Sequence, residues 1–487
     1  MSGSGSHRRP YHVAGFLWPL LFLLARGPAE ADAETAERLS PYFGTKSRYE
    51  ELHPNLLKEP LSLGPPQPGF PLPPASCTPL QLIAVIRHGT RFPTRKQIEK
   101  LGALHRLILQ SSNRSGSSNE SEPSLPSCPA AEPLARWDMW YRPDMDGKLA
   151  SRGRRDMEML AKRLSARFPS LLVPRRRFAF VTSSKHRCKD SAAAFREGLR
   201  QALYGRQSGS ESNATMTEAL EINDTLMRFF DSCQKFVRDV EDNITAMHEV
   251  DAFKEGPEMM KIVRKVANTL CLPTSDLNAD LIQVAFFTCS FGLTLKNANS
   301  PWCSLFSKED AEVLEYLNDL KQYWKRAYGY DINSRSSCVL FQDIFKHLDQ
   351  AVMESQSAKS ISSPVILNFG HAETLQPLLA LMGYFKDEEP LKAYNYRRHM
   401  HRAFRSGRIV PYAANLLFVL YHCDHAKPPE EEYKIQILLN EKLLRFPHSG
   451  ETVSLYANLK NHYKDLQNCN FAEVCDISTN TTTIDEL

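Results

Sequence analysis

Short apolar runs rich in β-branched residues alternate with longer stretches whose apolar residues recur at helical spacing, the texture of an α/β fold. Leu82–Ile86, Phe178–Thr182 and Pro364–Phe369 are the lengths of buried strands, and Ile409 to Tyr421 supplies late strand material. One helix is predicted over 96–109. A second opens at Gly147–Gly153, buries Met157, Leu160, Ala161, Leu164 and Phe168, and stops at Pro169. A third runs from Asp190 to Tyr204. From about 205 to 333 strand signals become few. There Ser307 and Asp310 have capping spacing, Leu314, Leu317, Leu320 and Trp324 form a stripe, and Gly329 lies just past the end. Helices over 336–355 and from Thr374 onward restore the α/β pattern. The expectation is an α/β core with an all-helical insertion, placed to form a lid or one wall of a cleft.

A chain of 487 residues is too long for one simple core. Its expected divisions are a signal peptide (1–30), an extension with a proline-rich connection (31–76), the first part of the core (77–204), the helical insertion (205–333), the second part of the core (334–468) and a tail (469–487). Ser111 to Pro133, rich in serine and proline, reads as a mobile glycosylated insertion. Trp137, Trp140 and Tyr141 read as core, and Arg397, Arg398, Arg402, Arg405 and Arg408 as a solvated basic face. The net charge of +4 is too mild to suggest a nucleic-acid binder.

His7, Arg8 and Arg9 precede an apolar run, Val13 to Ala25, of signal-peptide length and too short to span a membrane comfortably. Sequons stand at Asn113, Asn119, Asn213, Asn223, Asn243 and Asn480. The last residues, Ile484 to Leu487, approximate an endoplasmic reticulum retrieval signal read by a receptor. Ile484 departs from the usual lysine, so retention is expected to be leaky, with part of the protein secreted. The expected location is the endoplasmic reticulum lumen, with no membrane span in the mature chain. Eleven cysteines then imply disulfides with at least one thiol left over. Cys469 with Cys475, and Cys77 with Cys423, are the suggested pairs. No metal spacing is present, and no cofactor or metal is expected.

The chemistry lies where strands end. Arg87, His88 and Arg91 follow the first strand, Arg187 the second, and His371 and Glu373 the third. In a parallel sheet such positions share one crevice. Guanidinium groups hold phosphate, and a neutral imidazole can attack phosphorus. His88 is then the candidate nucleophile, Arg87, Arg91 and Arg187 the anion clamp, His371 a further donor, and Glu373 the acid for the leaving group and later the base for water. Lys185 and Arg228 are candidates for peripheral phosphates.

The set Arg-His-Gly-x-Arg-x-Pro, a distant arginine and a strand-borne His-x-Glu resembles the histidine acid phosphatases, the branch that includes phytases. The resemblance runs through most of the chain, including 40–46, 183–188, 226–231 and 321–326. It implies a phosphoglycerate-mutase-like core sheet with helices on both faces and a helical domain inserted after Arg187. It implies hydrolysis of phosphomonoesters on inositol rings, including the hexakis- and pentakisphosphates, and removal of the 3-phosphate of 2,3-bisphosphoglycerate. By the same resemblance Thr94 and Arg95 occupy substrate-binding positions. Most of that family has His-Asp at the third strand. Here Ala372 fills the acid's place and the carboxylate moves on to Glu373, as it does in inositol polyphosphate phosphatases. A broad acid phosphatase, a phosphomutase and a non-catalytic lumenal binder are the alternatives. A binder needs neither nucleophile nor acid.

Overall fold

The computed structural model describes residues 36–63, 76–116, 128–205, 219–424 and 432–477. The signal segment, the last ten residues of the tail (478–487), Asn119, Asn213, Asn480 and most of the proline-rich connection lie outside them. Eight strands form one sheet: β1 (Cys77–Arg87), β2 (Phe178–Thr182), β3 (Leu220–Ile222), β4 (Val365–Gly370), β5 (Asn415–Cys423), β6 (Tyr433–Leu439), β7 (Lys442–Leu443) and β8 (Ser454–Leu455). Their order is β3-β2-β4-β1-β5-β6-β7, with β8 against β6. β4 runs parallel to both β1 and β2, while β5 and β6 are antiparallel additions.

Side-chain alternation on β1 divides the core in two. Leu82, Ala84 and Ile86 pack with Met157, Leu160 and Leu164 of α2 (Ser151–Arg167) and Phe195 of α3 (His186–Tyr204). Ile83 and Val85 face the opposite layer, with Phe341 of α6 (Cys338–Gln356) and Leu375 of α7 (Ala372–Leu381). That layer continues without a break into the inserted helices, among them α4 (Ala279–Lys296) and α5 (Lys308–Arg326). The insertion is therefore packed as a wall. The predicted Ser307/Asp310 capping box closes the start of α5.

Several expectations change. Helix α1 (Arg95–Gly116) extends into the stretch read as mobile, and the chain beyond is anchored by a Cys128–Cys271 disulfide. The inserted region is not purely helical, because β3 lies within it and adds an edge to the main sheet. Ile409 belongs to a short helix rather than to the late strand, which starts at Asn415, beyond Pro411. Cys77–Cys423 forms as expected. Cys469 and Cys475 do not pair with each other. A short helix, Phe471–Cys475, turns Cys475 toward Cys233, while Cys469 bonds Cys338. Cys289 pairs with Cys303, and the unpaired thiol is the buried Cys188.

The basic face also needs correction. Arg397 and Arg398 are solvated, but Arg402 and Arg405 turn inward onto Glu315 and Asp319 of α5. The side chains of Arg402 and Asp319 are 3% and 0% exposed, 2.6 Å apart. Two carboxylates one helical turn apart on a buried face require cations, and only the folded chain brings these arginines to them. Arg402→Met leaves those carboxylates underpaired and should destabilise the protein by about 3–5 kcal/mol. Equilibrium urea denaturation measures this, and a loss below about 1 kcal/mol would refute the structural role.

Candidate active site

Strand register sets the site. Arg87 stands opposite Gly370, and Thr182 opposite Phe369, so β1, β2 and β4 end at one level. The loops leaving them carry His88 and Arg91, Arg187, and His371 with Glu373 into one crevice.

The His88 loop is held by its backbone. His88 N donates to Gly370 O at 3.0 Å and its carbonyl accepts from Ala413 N at 3.2 Å. Thr90 O accepts from Ala150 N, and Thr90 Oγ1 donates to Asp156 Oδ2 at 2.8 Å. Gly89 and Gly153 make a close crossing: a Cβ on Gly89 would stand 2.3 Å from Gly153 O. Glycine is required there by space, since no side chain fits between the loop and the start of α2.

The tautomer of His88 follows from its partner. Nδ1 lies 2.9 Å from Gly89 O, and a carbonyl can only accept, so Nδ1 carries the proton. Nε2 therefore keeps a lone pair. Burial, then Arg187 and Arg87, push the imidazole well below its ordinary pKa, so it stays neutral into the acid range.

Two arginines reach the crevice with donors to spare. Arg87 Nη1 donates to Thr45 O and Val410 O, and its guanidinium lies 4.5 Å from the Tyr412 ring centre. Arg187 Nη2 is 3.3 Å from His371 Nδ1. The Nε atoms of Arg87 and Arg187 are buried and have no hydrogen-bond partner among the described residues. Such orphan donors are costly unless a ligand satisfies them. Arg91, half-buried, gives one Nη1 bond to Phe92 O at 2.7 Å.

Both ring nitrogens of His371 are engaged by neighbouring side chains. Arginine can only donate, so Nδ1 accepts from Arg187 and Nε2–H faces Ser183 Oγ at 2.9 Å. His371 thus orients Arg187, and its pKa is lowered to about 3 by burial and Arg187. Donating to a phosphoryl oxygen requires a second ring proton, which an adjacent dianion would favour.

Glu373 lies in the first turn of α7, partly open to the crevice. Burial alone would raise its carboxyl, but Arg326, then His371 and Arg87, outweigh burial and hold it well below the ordinary carboxylate range. The carboxyl is therefore ionised at neutral pH.

The other candidates stand further out. Thr94 precedes α1, its N and Oγ1 donating to Gln97 Oε1 at 3.0 and 3.2 Å. Arg95 is exposed and bonds Glu99. Lys185 is exposed, and Arg228 is engaged by Asp224 and Asp231. Of the described sequons, Asn243 is exposed, while Asn223 caps a short helix through its side chain. Sequence reasoning missed Ser183, Tyr412, Asp156, Arg326 and Lys46. Lys46 and Arg326 lay inside stretches singled out for other reasons, but nothing local showed that they face this crevice. Among the described residues no group of three or more His, Cys, Asp or Glu side chains could hold a metal ion.

A parallel-stranded core with a histidine and clustered arginines at its strand ends defines a class of phosphoryl-handling proteins. The model of the histidine phosphatase superfamily, branch 2, matches residues 80–440, and the chain belongs to that family. The chain is 63% identical to "Multiple inositol polyphosphate phosphatase 1" of Gallus gallus, over 92% of this chain and 96% of that one. It is 56% identical to the Homo sapiens protein of the same name, over 93% and 92%. Among solved structures, the Bifidobacterium longum multiple inositol polyphosphate phosphatase complexed with inositol hexasulfate superimposes with a TM-score of 0.64 at 14% identity, over 86% of this chain and 96% of that one. The phytase from D. castellii gives 0.66 at 16%, over 90% and 88%. At those identities the two structures bear on the fold.

Proposed function

We propose that this protein hydrolyses phosphomonoesters of inositol polyphosphates, the hexakis- and pentakisphosphates among them, through a phosphohistidine on His88. The observation that carries this reading is the pairing of a neutral, lone-pair-bearing Nε2 on His88 with unsatisfied guanidinium donors of Arg87 and Arg187. Family membership and the names of the two vertebrate relatives supply the substrate class.

In the first step Nε2 attacks phosphorus and the ester P–O bond breaks. Arg87, Arg91 and Arg187 hold the non-bridging oxygens, and the leaving alkoxide takes a proton from Glu373. In the second, Glu373 removes a proton from water, the water oxygen attacks phosphorus, and the P–N bond breaks to release phosphate and restore the imidazole. The 3-phosphate of 2,3-bisphosphoglycerate is a second substrate on this reading, being an alkyl phosphomonoester of high charge. On this reading Thr94 and Arg95, which follow the Arg91 loop, bind an outer phosphate.

The leader at 1–30, the exposed sequon at Asn243 and the Ile484–Leu487 tail support residence in the endoplasmic reticulum lumen with receptor-mediated retrieval. Among the described residues no helix is long and apolar enough to cross a membrane.

The deciding experiment is phosphate release from inositol hexakisphosphate by the purified protein, beside 2,3-bisphosphoglycerate and a simple aryl phosphate. The expected result is kcat/KM at least about tenfold higher for the hexakisphosphate than for the aryl ester, a modest fraction of what several charged contacts can supply. Equal values would leave a broad acid phosphatase.

A further inference from the structure

Residues 40–47 are clamped between the inserted helices and the core. Gly44 has φ +54° and sits so close to α5 that a Cβ would stand 2.5 Å from Asn318 Oδ1. Thr45 O accepts from Arg87, Ser47 O from Tyr412 N at 3.1 Å, and Lys46 O from Ser290 Oγ at 3.2 Å. A turn fixed from this many sides holds its side chains in place.

Lys46 projects from that turn beside the reacting centre. Its Nζ donates to Thr45 Oγ1 at 3.1 Å and lies 5.4 Å from the Phe287 ring centre. It forms no ion pair with a carboxylate among the described residues. Burial, then Arg91 and Arg87, push the ammonium well below the ordinary lysine range, with Lys321 adding to them and the Glu373 carboxylate opposing. Lys321, on α5 and open to solvent, likewise has no ion-paired carboxylate among the described residues. It is crowded by Lys325, Lys254 and Arg326, with Asp280 the nearby counter-charge. The cations around Lys321 are already engaged. Lys254 pairs with Asp251 and Asp280, and Lys325 and Arg326 pair with Glu241. Two unpaired ammonium groups therefore lead from the catalytic arginines to the α5 wall. Like charges gathered without counter-ions oppose folding, and an arriving polyanion relieves that repulsion.

We propose that Lys46 and Lys321 form a subsite for a second phosphate of a polyphosphorylated substrate, one that is not being transferred. The proposal rests on the inositol polyphosphate reading above and locates where preference for polyphosphates over simple monoesters arises. Lys46 forms the fixed base of the subsite. Lys321 is free to follow the ligand, since its side chain is long and exposed.

The test uses the full-length protein and the variants Lys46→Met, Lys321→Met and Lys46→Arg. The ratio of kcat/KM for inositol hexakisphosphate to that for p-nitrophenyl phosphate should fall about 10- to 100-fold in Lys46→Met, as expected for loss of a charged contact, and somewhat less in Lys321→Met. Lys46→Arg should recover most of the ratio. Inositol hexasulfate, as an inhibitor of aryl phosphate hydrolysis, should weaken by a similar factor in both Met variants. A ratio within twofold of the parent in both Met variants overturns the subsite. So does an equal loss on both substrates that arginine does not rescue, because Lys46 would then be serving the turn alone. If the parent protein fails to hydrolyse the hexakisphosphate, the functional reading above falls, while the hexasulfate inhibition still decides the subsite.

Discussion

His88→Ala should lose turnover by a factor on the order of 10⁴ to 10⁶, the range seen when a covalent nucleophile is removed. No neighbouring group is placed to replace it. His371 has Nδ1 turned to Arg187 and Nε2 turned to Ser183. The Cys188 thiol is buried, lies 3.2 Å from Gly370 O, and is pushed up to about 11 chiefly by burial, so it is not a thiolate at neutral pH. Anion binding should survive the change, because Arg87, Arg91 and Arg187 remain and the loop is held through backbone contacts that alanine keeps. Inhibition of the parent and direct binding of inositol hexasulfate to the variant measure the two halves of this expectation. Near-normal hydrolysis by the variant would remove His88 from the nucleophile role. The depressed pKa of His88 adds a second signature. For a buried histidine held neutral, protonation near pH 6.5 belongs to the unfolded chain, so kcat/KM should show no acid-side loss near that pH. Stability should decline as pH falls below about 6.5, where the unfolded chain binds protons that folded His88 and His371 refuse.

Glu373→Gln should slow release of an inositol alkoxide by about 100- to 10,000-fold, the range for loss of a positioned general acid. A nitrophenolate needs no proton to leave, so its release should slow less than about tenfold. Equal slowing would exclude Glu373 from protonating the leaving group. The electrostatics also say where the proton originates. Arg326, with Arg87, keeps the carboxyl ionised. An entering phosphate offsets those cations and raises the carboxyl, so Glu373 can take the last proton of the bound phosphomonoester and pass it on. Phosphomonoesters lose that proton near pH 6. On an alkyl substrate, kcat/KM should therefore fall as pH rises above about 6, and a flat profile to pH 8 would refute this proton route.

Local chemistry carried much of this protein. The β1, β2 and β4 runs, the helical spacing on α2 and the Ser307/Asp310 cap were legible because strand alternation, helical periodicity and capping act within a few residues. The motif at 87–91 was legible for the same reason, since a strand, a glycine turn and paired arginines are neighbours in the chain. Those features determined an α/β core with its chemistry at strand ends.

Other features depend on residues distant in sequence, and tertiary structure alone decided them. Arg402 looked solvated until α5 delivered Glu315 and Asp319 to it. Cys469 and Cys475 looked like partners until an intervening helix turned them apart. The proton position on His371 was set by Arg187, from the start of α3, which can only give hydrogen bonds and so leaves Nδ1 as the acceptor. Lys46 had no readable role, because its neighbours Arg87, Arg91 and Lys321 come from β1, the loop after it and α5. Charge and hydrogen-bond direction are set by whatever lies within a few ångströms, and over that distance the folded chain, not the order of its residues, chooses the neighbours.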